Sequence, residues 1–357
     1  MFLTAAAALI LLVVLANALF WPRVKPRQGG GDSLVSVLIP ARNEEANIAE
    51  CIRRVLEQGA TVLEVLIYDD HSDDLTGALV QQASAVDARV RLVPSLPLPP
   101  DWCGKNFACS QLASRALGDW LLFLDADARL MPGGVDGMLH AAVSRGVTLL
   151  SCWPGFELRG FAERMLMPML NCLVFTIFPA PLSLVRNEPA LGLAHGACII
   201  IEHDAYRKLG GHALVRSEIF EDTRLAQTWR ARGERSLCLD GQDAVRVRMY
   251  AGLNEIWLGF QKNFFLAFRR PAMFWLFLCF HFTFFLLPFL IFNWKAALLI
   301  LLGRLVLAMR FGQPWWSALV HPVAEIFLLS LGFCSWWRCR VGTGVVWKGR
   351  VYRARRV

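Results

Sequence analysis

The sequence predicts an α/β domain with a mostly parallel sheet, flanked by helices long enough to cross a membrane. Apolar strands and amphipathic helices alternate over residues 34–124. Hydrophobic residues make up 55% of the 357-residue chain and charged residues only 18%, with a mean hydropathy of +0.42. The charge-poor stretches lie at 2–21 and across most of 273–337. This pattern excludes a purely cytosolic enzyme, a polytopic channel and a disordered protein.

The first apolar stretch is predicted to be a membrane anchor. Residues 2–21 are 20 uncharged residues, about 30 Å as a helix, which matches the hydrocarbon core of a bilayer. A cleaved signal peptide is the alternative, because Ala16-Asn17-Ala18 resembles a cleavage site. No basic residue precedes the stretch, however, and three follow it in the linker 22–32. The charges favour an uncleaved anchor over 1–22 whose C-terminal flank stays in the cytoplasm.

The alternating region supplies the elements of the sheet. The predicted strands are 34–40, 62–68, 90–93 and 120–124, and the predicted helices are 44–58, 75–84 and 108–116. Such alternation predicts parallel strands covered by helices on both faces. Ligands of these sheets bind beyond the carboxyl ends of the strands. The polar residues that follow each strand therefore form the candidate site.

Charged residues follow the first and second predicted strands. Arg42-Asn43-Glu44-Glu45 comes after the first, and 69–74 contains four acidic residues after the second. Capping of the following helices accounts for part of this pattern. Four carboxylates within six positions repel one another, so we also expect a binding partner for them.

The fourth predicted strand is followed by Asp125-Ala126-Asp127. Two carboxylates at the edge of a sheet can converge on one hard divalent cation, which also retains waters and substrate phosphates. A haloacid dehalogenase would place D-x-D-x-T in the first strand, whereas this pair follows the fourth and is followed by Arg129. A metal site on Asp125 and Asp127 is therefore expected.

Together, the stretches 37–44 (VLIPARNE), 69–72 (DDHS) and 125–127 (DAD) resemble the family 2 glycosyltransferases, which have the Rossmann-like GT-A fold. The resemblance covers about residues 34–265. The string DWCGKNFA at 101–108 is similar to one in membrane-bound members that glycosylate lipids, such as carotenoid and hopanoid-associated glycosyltransferases. The resemblance implies a GT-A catalytic domain over 33–265.

The resemblance also implies roles for individual residues. Nucleotide-sugar binding is expected of Pro40, Arg42, Asn43, Glu44, Asp69, Asp70, Lys105, Asn106, Asp125, Gln261 and Lys262. Asp125 and Asp127 are expected to hold Mn²⁺ or Mg²⁺ on the donor diphosphate. For Lys105, a solvated surface position is the alternative. The proline-rich loop before it and the neighbouring Gly104 favour a fixed ammonium group, which suits a diphosphate.

Glu221-Asp222 opens an amphipathic helix. Two acidic residues there also match the helix dipole, which is the simpler interpretation. In the resembled family an E-D pair at this helix supplies the general base. We therefore expect catalytic roles for Asp222 and Glu221, with Asp222 deprotonating the acceptor hydroxyl during a single-displacement inversion.

The stretch 261–265 replaces the Q-x-x-R-W of processive and ceramide-type members. Gln261 is retained, but Phe264 and Phe265 stand in place of Arg and Trp. This departure favours transfer of a single hexose, from a donor expected to be UDP-linked, to a carotenoid, polyisoprenoid or sphingolipid-like alcohol. A processive polysaccharide or glycolipid synthase is the alternative. Lys262 could cover the donor or, with Trp257, anchor an interfacial helix.

Residues 161–185 are nearly as apolar as the anchor but are expected to lie in the membrane interface. A single crossing would separate Asp222 from Asp125 across the bilayer. In the C-terminal region 272–337, two stretches are long enough to span, at 272–292 and 315–337. An even number of crossings would leave the basic tail 338–357 in the cytoplasm, and a short third stretch contains Arg304. The expected location is the cell membrane, multi-pass, with a cytoplasmic catalytic domain.

The remaining composition excludes other classes of partner. The net charge of +8 comes largely from basic residues that flank apolar segments, which indicates anionic lipid and not nucleic acid. The ten cysteines are scattered without a C-x-x-C pair, so neither a disulfide framework nor a zinc site is expected. A non-catalytic membrane scaffold would be expected to lose its acidic site residues, and this chain retains them.

Overall fold

The computed structural model describes residues 1–29, 33–268, 270–340, 345–347 and 350–352. Two compact units are present. The sheet unit consists of Pro22–Glu157 and Leu182–Met249, and the helical unit consists of Met1–Trp21, Leu158–Pro181 and Tyr250–Val357. Parts of the predicted linker and basic tail, 30–32, 341–344, 348–349 and 353–357, lie outside the described residues, as does Arg269.

The strands are β1 (Val35–Ala41), β2 (Val62–Asp69), β3 (Val90–Val93), β4 (Trp120–Leu124), β5 (Ala128–Leu130), β6 (Leu149–Trp153), β7 (Gly155–Phe156), β8 (Cys198–Glu202), β9 (Ser236–Asp240), β10 (Val245–Val247), β11 (Val345–Trp347) and β12 (Arg350–Tyr352). The last two pair as an antiparallel hairpin.

The helices are α1 (Phe2–Phe20), α2 (Ile48–Leu56), α3 (Thr76–Val86), α4 (Gly104–Ala113), α5 (Gly134–Ser144), α6 (Phe161–Leu166), α7 (Pro168–Phe175), α8 (Ala180–Val185), α9 (His203–Leu209), α10 (Glu221–Ala231), α11 (Leu253–Phe264), α12 (Pro271–His281), α13 (Leu287–Leu290), α14 (Trp294–Arg310) and α15 (His321–Arg340). Short 3₁₀ turns occur at Pro189–Leu191, Gly211–Val215 and Trp315–Ala318, and Phe282–Leu286 is π-helical.

The main sheet has seven strands in the order β3-β2-β1-β4-β8-β6-β9. Neighbouring strands are parallel except that β8 runs antiparallel to both β4 and β6. A second sheet has the order β5-β10-β7. The mostly parallel sheet predicted from the sequence is therefore present, with one reversed strand near its middle.

Continuous apolar strands form the centre of the sheet because both faces are covered. Val37 and Ile39 pack into one buried cluster, and Leu38, pointing to the opposite face, packs into another. All five residues of β4 are buried. The predicted strand boundaries agree with the structure to within a residue for β1 to β4.

Two helices begin four residues away from their predicted starts. The chain before α2 remains a turn, with Asn43 at a φ of 51°, so the helix starts at Ile48 instead of residue 44. Helix α4 starts at Gly104, four residues before the predicted start. The residue before it, Cys103, donates its N–H to the Arg216 carbonyl at 2.7 Å. Lys105 consequently lies in the first turn of a helix and not in a loop.

Topology places the candidate residues at one edge of the sheet. The carboxyl ends of β1, β2, β4 and β6 share this edge because those strands run in the same direction. Strand β8 is antiparallel, so its beginning lies there too. The Asp125 N–H accordingly donates to the Ala197 carbonyl at 3.0 Å. The residues before β8 thus join those that follow β4.

In the helical unit, two helical stretches among the described residues are long and apolar enough to cross a membrane, by length and composition only. They are Phe2–Phe20 and Pro271–Leu290, which correspond to the predicted anchor and the first predicted C-terminal span. The predicted span 315–337 differs, because its helix, α15, starts at His321 with Pro322 in the first turn. The short third apolar stretch, which contains Arg304, forms helix α14.

The stretch 161–185 forms three short helices, α6, α7 and α8, and not one long helix. Pro168 begins α7, consistent with the preference of proline for the first helical turn. The Asn17 side chain of α1 hydrogen-bonds the segment between α7 and α8. Its Nδ2 donates at 2.8 Å to the carbonyls of both Phe175 and Phe178. Its Oδ1 accepts from the Ala180 N–H at 2.9 Å. The membrane-interface position of this stretch stays a prediction.

Ionisable groups inside the helical unit are matched with polar partners. His281 Nδ1 lies 2.9 Å from Glu325 Oε1, and neither side chain is exposed. Arg304 donates from Nη1 to the Pro168 carbonyl at 2.9 Å. Such pairing is needed because an isolated charge is costly away from water.

Replacing His281 with Phe should destabilise the helical unit by roughly 3–5 kcal/mol, because the Glu325 carboxylate stays buried without its partner. The double variant His281→Phe/Glu325→Leu should recover most of this loss. Thermal unfolding of the detergent-solubilised protein would measure both, with Met273→Leu, at an exposed position of α12, as control. Equal losses in the single and double variants would contradict a stabilising role for the pair.

Candidate active site

A lysine ammonium group joins two acidic segments of the sheet unit. Lys105 Nζ lies 2.8 Å from Asp125 Oδ1 and 3.0 Å from Glu221 Oε1. The lysine belongs to the first turn of α4, Asp125 to the turn after β4, and Glu221 to the start of α10. Three segments that are distant in sequence therefore meet at one charged cluster, as the motifs indicated.

The ion pairs hold Lys105 in its protonated state. Desolvation acts to lower its pKa, but the carboxylates of Asp125 and Glu221 outweigh it and raise the pKa well above the usual value. The side chain is still 37% exposed, so it remains accessible to an anionic ligand. A fixed, partly exposed ammonium group is suited to a phosphate oxygen.

Asp222 lies next to this cluster at the start of α10. Its Oδ2 accepts from the Gly196 N–H at 2.8 Å, and its Oδ1 accepts from the Thr223 N–H at 2.6 Å. Burial, with a further contribution from the Glu221 carboxylate, raises the pKa of Asp222 to about 7. These contacts orient a carboxylate that exchanges its proton near neutral pH.

Gly196 lies between the charged groups. A Cβ at this position would lie 3.1 Å from Lys105 Nζ, 3.3 Å from Asp222 Oδ2 and 3.5 Å from Glu221 Oε1. Any side chain larger than that of alanine would therefore displace the lysine or the carboxylates. Glycine allows the backbone N–H to reach Asp222 while the cluster stays compact.

The turn that carries Asp125 and Asp127 is held from both sides. The Ala128 N–H donates to the Asp125 carbonyl at 2.9 Å, which closes the turn. Arg129 donates from Nη1 to the carbonyls of Ala126 and Ala128, each at 2.9 Å. The two carboxylates therefore start from a fixed backbone.

The two aspartates fit a hard cation by the chemistry of their oxygens. In the described part of the chain, no group of three or more His, Cys, Asp or Glu side chains is arranged to hold a metal ion. A cation on Asp125 and Asp127 would therefore complete its coordination with water and donor phosphates. Metal binding by this pair stays a prediction.

A chain of hydrogen bonds connects this turn with the loop after β1. Arg129 Nη2 donates to Asn47 Oδ1 at 2.8 Å, and Asn47 Nδ2 donates to Glu44 Oε2 at 3.0 Å. Glu44 was expected to bind the nucleotide. The loop after β1 and the turn that carries Asp125 and Asp127 are thus joined through Arg129.

The loops after β1 and β2 bind each other. Asn43 Oδ1 accepts from the Asp73 N–H, and the Asn43 N–H donates to Ser72 Oγ, both at 2.9 Å. Arg42 Nη1 donates to the Asp70 carbonyl at 2.6 Å. Part of the polar pattern in these loops is therefore structural, as the capping interpretation allowed.

Two further residues expected to bind the nucleotide sugar lie at the ends of these strands. Pro40 lies near the end of β1, and Asp69 ends β2, where its carboxylate accepts from the Ser72 N–H.

Asn106 has a different environment from the one expected for a donor-binding residue. Its side chain is 1% exposed, and its Nδ2 donates to the carbonyls of Val215 at 2.7 Å and Glu218 at 2.9 Å. The amide group holds the loop that leads to Glu221. The structure therefore assigns Asn106 a positioning role and does not support direct contact with a nucleotide sugar.

Gln261 and Lys262 belong to α11 of the helical unit. The Gln261 side chain is buried, and its Nε2 donates to Cys334 Sγ at 2.9 Å. Because its amide is used within the helical unit, the structure does not support its expected contact with a donor. Lys262 is partly exposed, and its role in donor binding stays a prediction.

Two residues of the site were not identified from the sequence. Gly196 precedes a strand and resembles any glycine at a strand start. Arg129 was noted only because it excludes a dehalogenase motif. Its position two residues after the D-x-D pair was the available signal, but the partner Asn47 is 82 residues away. Only the fold brings these groups together.

Comparison with known proteins identifies the domain. Residues 36–210 match the glycosyl transferase family 2 model, a match that ends before Glu221. The 4,4'-diaponeurosporenoate glycosyltransferase of Staphylococcus haemolyticus is 26% identical over 241 residues, 67% of this chain and 63% of the relative. The enzyme of the same name from Staphylococcus aureus strain MRSA252 is 24% identical over 234 residues, 64% of this chain and 60% of the relative. The chain thus spans less than two thirds of the length of these relatives.

A solved structure shares the fold. The mannosyltransferase PcManGT from Pyrobaculum calidifontis, in complex with GDP-Man and Mn²⁺, superposes with a TM-score of 0.52 at 17% identity, covering 94% of this chain and 98% of the other. At this identity the likeness concerns the fold alone. The motifs, the mostly parallel sheet and this match together identify residues 36–210 as a glycosyl transferase family 2 domain.

Proposed function

We propose that the chain is a membrane-anchored inverting glycosyltransferase that moves one hexose from a sugar nucleotide to a lipid alcohol. The observation that carries this proposal is the cluster in which Lys105 joins Asp125 to Glu221, beside Asp222. It combines a cation for a diphosphate, carboxylates for a metal ion and a base that titrates near neutral pH.

The donor side uses the loops after β1, β2 and β4. Lys105 would contact the diphosphate, and the loops that contain Arg42 and Asp70 would contact the base and ribose. PcManGT was solved with GDP-Man and Mn²⁺. We propose a UDP-linked hexose for this chain, bound to Asp125 and Asp127 through Mn²⁺ or Mg²⁺. A bound cation would offset the negative charge of the departing diphosphate.

On the acceptor side, the proposed base is Asp222. Its carboxylate, held by the N–H groups of Gly196 and Thr223, would take the proton of the acceptor hydroxyl as the oxygen attacks the anomeric carbon. The bond from that carbon to the diphosphate oxygen breaks as the new glycosidic bond forms. A single displacement of this kind inverts the anomeric configuration.

A lipid acceptor is supported by the relatives and by the apolar helices. The Staphylococcus relatives are named for 4,4'-diaponeurosporenoate. This chain has the stretches Phe2–Phe20 and Pro271–Leu290, each apolar and long enough to span a bilayer. We propose a multi-pass protein with its sheet unit in the cytoplasm, where nucleotide sugars are available.

The direct test incubates the purified protein with labelled UDP- and GDP-hexoses and a panel of lipids that carry hydroxyl or carboxyl end groups. The expected product is a lipid with one added hexose of inverted anomeric configuration. Products with many sugars would instead indicate a processive synthase. Donor binding without transfer to any lipid would indicate a non-catalytic protein.

Asp222→Asn should abolish transfer to a lipid alcohol, because the amide cannot accept the proton. The affinity for the nucleoside diphosphate should stay within a few fold of the original value. Transfer assays and calorimetric titration would measure the two quantities. Asp204→Asn, on the exposed face of α9, makes the same chemical change away from the site and serves as control. Unaltered turnover in Asp222→Asn would mean that the base is another residue.

Transfer to a lipid alcohol should rise with pH through about 7 and level off above it. The raised pKa of Asp222 means that the carboxyl group is protonated below this value and cannot act as base, whereas above it the ionised form predominates. Measurement of kcat/KM across this range tests the assignment. A lipid carboxylic acid, already ionised near neutral pH, should not need the base. A flat profile with an alcohol acceptor would contradict the prediction.

Removing divalent cations with a chelator should abolish transfer, and added Mn²⁺ or Mg²⁺ should restore it. Asp125→Asn and Asp127→Asn should each weaken metal binding, measured by calorimetry in the presence of the nucleoside diphosphate, because each removes a carboxylate ligand. Asp204→Asn should bind metal as the unchanged protein does. Full activity in chelator would remove the metal from the mechanism.

A further inference from the structure

His195 lies beside the charged cluster but has no part in the function proposed above. It precedes Gly196, whose N–H binds Asp222. Its backbone is bonded on both sides to the buried Ser151 of β6: the His195 N–H donates to Ser151 Oγ at 2.8 Å, and that hydroxyl donates to the His195 carbonyl at 3.2 Å. The backbone of His195 is therefore fixed relative to the sheet.

The imidazole ring is fixed as well. Its Nδ1 accepts from the Ala197 N–H at 3.2 Å. Trp153 packs against it edge to face, with ring centroids 5.1 Å apart, and the Phe156 ring is 6.2 Å away. Because Nδ1 is the acceptor, the proton of the neutral ring is on Nε2. The ring thus presents one N–H donor at a defined position.

The charge state of the ring agrees with this geometry. Burial lowers the pKa of His195 to about 4, the Asp125 carboxylate opposes this shift, and the Lys105 ammonium group adds to it. The ring is therefore neutral over the pH range in which Asp222 titrates. It therefore adds no second cation for the diphosphate, and its lowered pKa makes it a weaker base than Asp222.

We propose that His195 is a specificity-determining residue whose Nε2–H donates a hydrogen bond to a hydroxyl oxygen of a substrate. The proposal rests on the glycosyltransferase function proposed above. The hydroxyl belongs to the hexose of the donor or to the acceptor alcohol, and both must approach the edge of the sheet where His195 lies. Small-molecule binding sites typically combine aromatic side chains with a few well-placed polar groups, and here the rings of Trp153 and Phe156 lie next to that of His195.

Two substitutions separate hydrogen bonding from packing. His195→Phe keeps an aromatic ring against Trp153 and removes the N–H donor. His195→Gln removes the ring but retains an amide N–H donor at a similar distance from the backbone. His140, exposed on α5, provides the matched controls His140→Phe and His140→Gln.

Kinetics are measured above pH 7, with the donor and acceptor that the unchanged protein uses. His195→Phe should lower kcat/KM about tenfold, and His195→Gln should recover it to within about threefold, because one uncharged hydrogen bond is removed and then restored. Affinity for the nucleoside diphosphate alone should be unchanged in both. A raised KM for the sugar nucleotide assigns the contact to the hexose, and a raised KM for the lipid assigns it to the acceptor.

Two results would overturn the proposal. Either His195→Phe has the activity of the His140 controls, or both His195 variants lose activity equally while their melting temperatures are unchanged. If the unchanged protein transfers no sugar to any lipid, the proposed function fails. Binding measurements then test the proposed contact of His195. His195→Phe must then weaken the binding of UDP-glucose relative to UDP, or of a polyisoprenoid alcohol in detergent. Unchanged affinity for both would refute the contact.

Discussion

The bridge from Lys105 to Asp125 and Glu221 is the interaction on which the site depends. Without the ammonium group, carboxylates from the β4 turn and the start of α10 would repel one another across a short distance. The bridge therefore sets the position of Asp222, the neighbour of Glu221, relative to the aspartates of the turn. Asn106, the residue after Lys105, bonds the loop that leads into α10 and so helps to fix the position of Glu221.

The sequence allowed much of this architecture to be predicted, for physical reasons. Strand β4 is apolar along its whole length and β1 is apolar except for Ser36, because both faces of the sheet are covered, so their boundaries were clear. The D-x-D pair was identifiable because it directly follows an apolar strand, and Glu221-Asp222 because it opens a helix that matches a motif of the resembled family. The roles of Asn106 and Gln261 could not be predicted, because their burial depends on partners more than 70 residues away. No local pattern carries that information.

In the helical unit, too, polar side chains join segments that are distant in sequence. Asn17 is a buried polar residue of the apolar helix α1, and it bonds backbone groups where α7 ends and α8 begins. His281 Nδ1 pairs with Glu325 Oε1. Polar side chains in these helices thus act as connectors between segments, which explains why a largely apolar unit contains them.

Arg129 has a consequence for the order of events at the site. Its contacts with the backbone around Ala126 and with Asn47 couple two loops that would otherwise move separately. In the function proposed above, the donor would bind loops that Arg129 already holds together, so less of its binding free energy would be spent on ordering them.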